Sequence, residues 1–125
     1  MPAPKTALLC ALTAALGLFS GPDAEADHHA ITPQTLSTRI AADDPPYILD
    51  VRTANEYAEG HVPGAVNIPY DQLAARLGEL PAASDEILLY CRSGRRAELA
   101  EDTLRANGYE NLWQLSGHWL QWSKQ

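Results

Sequence analysis

Basic residues are scarce in this chain: nine Lys and Arg stand against sixteen Asp and Glu, a formal net charge of −7 over 125 residues. Nucleic acid and anionic lipid require a basic footprint, so neither is the principal partner. Gly and Pro are also few, eight and nine, well below the roughly 25–30% that marks low complexity. The apolar run at 6–19 is 14 residues long, short of the roughly 20 that cross a bilayer. Cysteine is rarer still, at two residues, Cys10 and Cys91. What is present is ordinary: 46% hydrophobic and 20% charged residues, in a length that suits one folded domain.

The amino-terminal stretch has the layout of a secretory leader. One side-chain cation in 1–5 precedes the apolar run, Gly21-Pro22 breaks it, and Ala24-Glu25-Ala26 supplies small residues for cleavage after Ala26. The expectation is a signal peptide at 1–26, a folded domain at 27–125, a periplasmic or secreted location and no membrane attachment after processing. Cleavage there would expose Asp27-His28-His29, whose amine, two amides and third-position imidazole suit an incidental square-planar Cu(II) or Ni(II) site. It would also remove Cys10 and leave Cys91 as a lone thiol. Exported chains usually pair their cysteines, so a single one points to a reactive sulfur or an intermolecular bond.

Across the rest of the chain, helix and strand signals alternate. Thr32-Pro33 starts a helix to about Ala42, and 47–51 is a short apolar strand. Thr53 with Glu56 forms a capping box for a helical turn closed by Gly60. Strands follow at 65–68, 86–90 and 111–115. Helices are expected at 71–77, from after Gly94 to about Asn107 with Gly108 as its stop, and at 119–123. Ala97, Ala100 and Leu104 share one helical face. Short buried strands between amphipathic helices mean α/β, a parallel sheet covered on both faces.

In such sheets ligands meet the carboxyl ends of the strands, and Cys91 ends the most apolar one. Arg92, Ser93, Gly94, Arg95 and Arg96 follow it. Gly94 allows a tight turn whose amides can face inward around an anion, and the next helix directs the positive end of its dipole to the same point. Cations at a helix start oppose that dipole, so an anionic ligand accounts for the arginines better than pairing with Glu98 or Glu101 does. Arginines and a helix N-terminus favour the thiolate of Cys91, which is then a nucleophile.

The blocks Asp50-Val51-Arg52, Glu56-Tyr57, 60–69 and 89–97 together resemble a single-domain rhodanese, a sulfurtransferase, over about residues 31–122. The resemblance implies a five-stranded parallel sheet flanked by helices on both faces, and a persulfide on Cys91 loaded from thiosulfate or a similar anion. Cyanide or a thiol would then accept the sulfur. No cofactor and no metal are implied. Four residues separate Cys91 from Arg96, the sulfurtransferase loop size. The related phosphatases and arsenate reductases carry one more and usually a His where Tyr90 stands. The rival reading is a persulfide carrier or redox partner with little turnover.

Asp50 and Arg52 are expected as supports, the carboxylate holding loop amides and the arginine pairing with Glu56. His61 is expected to hydrogen-bond within a turn, and Trp113, Trp119 and Trp122 to pack. Rhodanese relatives commonly carry a glycine pair where this chain has Gly117-His118. His118 therefore either borders the active site, tuning thiolate or acceptor, or projects as an exposed imidazole. If the position needs positive φ, His tolerates it better than most residues.

Overall fold

A computed structural model describes residues 29–125; the leader reading and Asp27-His28 lie outside the described residues. Five parallel strands, β1 (Ala30–Ile31), β2 (Tyr47–Asp50), β3 (Val66–Asn67), β4 (Ile87–Tyr90) and β5 (Leu112–Leu115), form one sheet in the order β1-β5-β4-β2-β3. The helices are α1 (Pro33–Ala41), α2 (Ala54–Glu59), α3 (Arg95–Ala106) and α4 (His118–Trp122). Parallel neighbours need crossovers, and the helices supply them.

The period of two along β4 sorts the core onto two faces. Ile87, Leu89 and Cys91 point one way, into a cluster with Ala97, Ala100 and Leu104 of α3. Leu88 and Tyr90 point the other way, toward Leu36 of α1, with Tyr57, Trp119 and Trp122 packed around them. All four residues of β4 are fully buried, which is why that strand reads as a continuous apolar run. The expected packing role of the tryptophans holds for Trp113, Trp119 and Trp122 alike.

The helix starts behave as their caps dictate. The Thr32 hydroxyl accepts the Thr35 amide with Pro33 in the first turn, and Thr53 and Glu56 close a reciprocal capping box on α2. Two expectations need correction, and one strand, β1, was not read from the sequence. The strand read at 65–68 pairs only over Val66–Asn67. The helix read at 71–77 is two short 3-10 turns, Tyr70–Ala75 and Leu77–Glu79; neither has a side-chain cap, and only Leu73 among them is buried, so little packing favours a full α-turn. The two-residue β1 carries no apolar run of its own and forms by adding to the edge of β5.

Candidate active site

Cys91 follows β4 directly and is 1% exposed. Its neighbours turn the chain sharply: Gly94 takes φ +132 and ψ −31 as the cap of α3, a backbone that L side chains rarely adopt. That turn brings the Gly94 amide onto the sulfur, with the N–H donating to Cys91 Sγ at 3.0 Å. The helix that begins at Arg95 points its amino end at the same place. The base of the loop is tied down as well, because Trp119 donates its amide to the Cys91 carbonyl at 3.0 Å and Leu120 donates to the Arg92 carbonyl at 3.2 Å.

The loop side chains divide by exposure. Arg92, Ser93 and Arg95 are exposed, and Arg95 reaches Glu98 only at 3.4 Å, with three quarters of its side chain in solvent. Such a pair contributes little. Arg96 is different. It is half-buried and donates to both oxygens of Glu56 at 2.7 and 3.0 Å, so α2 neutralises one of the three cations near the sulfur. Arg92 and Arg95 therefore carry the positive charge that faces solvent at the loop.

Hydrogen bonds from Arg96, reinforced by Thr53 and opposed by burial, hold the Glu56 carboxyl down at about 2, from an ordinary value near 4.5. Between those values the unfolded chain binds the proton and the folded chain does not. The stabilisation is therefore complete above pH 4.5 and is lost as pH falls through about 2. Glu56→Gln keeps the capping partner but removes the charge. In chemical denaturation at neutral pH it should lower stability by about 1–2 kcal/mol and flatten the acid dependence below pH 4.5; an unchanged acid limb would refute the assignment.

Beside the loop lies a buried ion pair. The Asp50 carboxylate, fully buried at the end of β2, accepts the Arg52 amide at 2.9 Å, Nε at 3.0 and 3.1 Å and Nη2 at 2.6 Å, and the Tyr90 hydroxyl at 2.7 Å. Arg52 is 3% exposed, also donates to the Gly60 carbonyl at 2.7 Å, and lies 4.6 Å from the Trp119 ring centroid. Burial pushes the Tyr90 hydroxyl up, as does its bond to Asp50, while the Val62 amide and Arg52 pull it down. It stays protonated and bridges Asp50 to the Val62 amide. The expected Arg52–Glu56 pair is thus corrected, since Arg52 takes Asp50 and Glu56 takes Arg96. Asp50 does hold a loop amide, that of Arg52.

His118 is buried at 9% exposure, which corrects the exposed-imidazole alternative. Its φ is +55, and its Nδ1 accepts the Cys91 amide at 3.3 Å. His61 stays within its turn, its Nδ1–H donating to the Tyr57 carbonyl at 2.8 Å and its ring stacking on Tyr57. A concavity bordered by Ala83, Ser84, Gly108, Glu110 and Asn111 opens at the amino ends of β4 and β5, away from the sulfur.

Sequence reasoning brought Cys91, Arg92 to Arg96, Asp50, Arg52 and His118 to one end of the sheet, and the structure places them there. It missed Tyr90 as the link between Asp50 and Val62, and Trp119 as the plane over Arg52. It also missed that Glu56 answers Arg96. The capping-box position of Glu56 was visible, but a cap leaves one carboxylate oxygen free, and only the fold shows what meets it.

A family model described as a rhodanese-like domain matches residues 32–125. A sulfurtransferase of Allochromatium vinosum is 33% identical over 94 residues, which span 75% of this chain and 87% of that protein. A Bacillus subtilis protein provisionally named as a sulfur carrier, YrkF, is 37% identical over 82 residues, 66% of this chain but only 44% of its own length. Among solved structures, the human single-domain sulfurtransferase TSTD1 superposes with a TM-score of 0.68 at 25% identity, covering 78% of this chain and 96% of that one.

Proposed function

Since this chain belongs to the rhodanese-like domain family, we propose that it moves a sulfane sulfur from thiosulfate or a similar small anion to cyanide or a thiol, through a persulfide on Cys91. The observation that carries this is the Gly94 amide donating to Cys91 Sγ at 3.0 Å inside a loop closed on the start of α3. A donor so placed stabilises negative charge on the sulfur before and after loading. The exposed guanidiniums of Arg92 and Arg95 stand at the mouth for the donor's oxyanion.

The cycle balances in two displacements. The Cys91 thiolate attacks the outer sulfur of thiosulfate, the S–S bond of the donor breaks, and sulfite leaves with the electron pair. The acceptor then attacks the outer persulfide sulfur, and Cys91 leaves as thiolate. The leader reading adds that the mature chain begins at Asp27 and works outside the cytoplasm.

Intact mass tests the proposal. Thiosulfate should add one sulfur, about 32 mass units, and cyanide should remove it; a chain that gains no mass would end the thiosulfate reading. The same spectrum of exported protein should show a start at Asp27. The likeness to the provisionally named carrier favours a second reading, in which Cys91 holds the persulfide for a partner. Steady-state thiocyanate release separates the two, since a carrier yields at most one equivalent.

A further inference from the structure

The imidazole of His118 touches the sulfur loop at two places. At one edge Nδ1 accepts the amide of Cys91 at 3.3 Å. At the other edge Nε2 and Cδ2 lie against Gly94, where an added Cβ would come within 3.3 and 3.5 Å of them. Gly94 is the residue whose own amide donates to Cys91 Sγ. The ring thus spans the nucleophile's backbone and the residue that holds its sulfur.

The local backbone is built for this. Gly117 takes φ +74 and His118 φ +55, and a Cβ on Gly117 would fall 2.4 Å from Cβ of Gln121, so only glycine fits there. The two left-handed residues turn the chain so that the His118 ring enters the loop while the next amide, Trp119, caps the Cys91 carbonyl at 3.0 Å. Both backbone polar groups of Cys91 are thereby satisfied by consecutive residues of α4. A glycine in place of His118 would leave the buried Cys91 amide without its acceptor.

We propose that His118 is a positioning residue for sulfur transfer, its ring fixing the Cys91 backbone at Nδ1 and buttressing Gly94 at the opposite edge so that the Gly94 amide stays on the sulfur. This rests on the sulfur-accepting role of Cys91 and adds a residue that the resemblance does not supply, since relatives commonly have glycine there. Only the neutral ring with its proton on Nε2 can serve, because Nδ1 must accept. Burial lowers the imidazole from its ordinary 6.5, against the opposing charge of Glu98 on α3.

The test uses the full chain with His118→Gly and His118→Asn. Glycine suits positive φ, so the first variant folds without backbone strain. It should lower kcat for sulfur transfer from thiosulfate about tenfold, the effect of losing one buried hydrogen bond and its packing edge, while KM stays within about twofold, because Arg92 and Arg95 are untouched. Asn tolerates the left-handed backbone and can place its carbonyl oxygen where Nδ1 was, so His118→Asn should recover most of the lost rate. Below pH 6.5, the wild-type kcat should fall relative to that of His118→Asn, as the imidazolium cannot accept. A ratio that stays flat or rises on acidification, or a glycine variant with full kcat, overturns the proposal. Imidazole 15N NMR of the wild-type chain gives a readout independent of turnover. The expected form carries hydrogen on Nε2, with the Cys91 amide shift following the imidazole titration, and hydrogen on Nδ1 refutes the proposal. If NMR agrees but thiosulfate loads no sulfur, the sulfurtransferase reading falls and the placement of His118 stands.

Discussion

Cys91→Ser should gain no sulfur from thiosulfate and should release thiocyanate at less than about a thousandth of the wild-type rate, the scale on which loss of a covalent nucleophile registers. The substitution is close in size, and the hydroxyl oxygen can accept the Gly94 amide that now bonds Sγ at 3.0 Å. The loop should therefore keep its shape. A hydroxyl at neutral pH is a poor nucleophile toward sulfane sulfur, so chemistry is lost where geometry is kept. Chemical denaturation of the variant should give a stability within about 1.5 kcal/mol of wild type, the range for a near-isosteric core change. Residual turnover above a hundredth of wild type, with the fold intact, would mean that sulfur is delivered without a Cys91 persulfide.

Asp50→Ala carries the largest expected loss of stability, about 3–5 kcal/mol, because removing one partner of a buried ion pair leaves the other charge buried and unanswered. Arg52 has 3% of its surface exposed and cannot turn to solvent without releasing the Gly60 carbonyl and the face of Trp119. The Tyr90 hydroxyl and the Arg52 amide lose an acceptor in the same step. Against a typical total of about 5–15 kcal/mol, this brings the domain near its threshold. Replacing both partners, as in Asp50→Ala with Arg52→Leu, should cost less than Asp50→Ala alone, since no charge then remains. If urea denaturation shows Asp50→Ala within about 1 kcal/mol of wild type, Arg52 has found another counter-charge and the support role is wrong. The unit matters for the sulfur loop because Asp50 pairs in register with Tyr90, the residue before Cys91, and Arg52 backs the tryptophan whose amide caps the Cys91 carbonyl.

Two neighbouring acid–base pairs at the same end of the sheet thus serve different ends. Asp50 and Arg52 are sealed and hold the strand ends together. Glu56 and Arg96 are a quarter exposed and join α2 to the start of α3. The second pair also withdraws one arginine from the loop, so that in the proposed function an anionic donor would be left to Arg92 and Arg95. Three cations within a few residues overstate the field at Cys91 when one already has its own carboxylate.

Much of this molecule follows from local sequence. The strands β2, β4 and β5 are apolar runs bounded by turn residues, α1 and α2 are announced by Thr caps, and Cys91 stands at a strand end before a glycine turn and a helix. These features are local: side-chain burial, hydrogen bonds three residues apart, a backbone angle only glycine favours. The sequence alone therefore determined the α/β class and the position of Cys91 and its loop at the end of β4. It could not place what depends on residues far apart in the chain. Glu56 and Arg96 are forty positions apart, as are Asp50 and Tyr90, and their pairing follows from the strand order β1-β5-β4-β2-β3. The short β1 exists only because β5 offers it an edge. His118, readable in sequence as either buried or exposed, was decided by packing, because the positive φ at 117 and 118 turns its ring inward onto the Cys91 amide. Local patterns specify which groups can do chemistry; the parallel crossovers decide which of them meet, since contact between distant residues is set by topology and not by spacing.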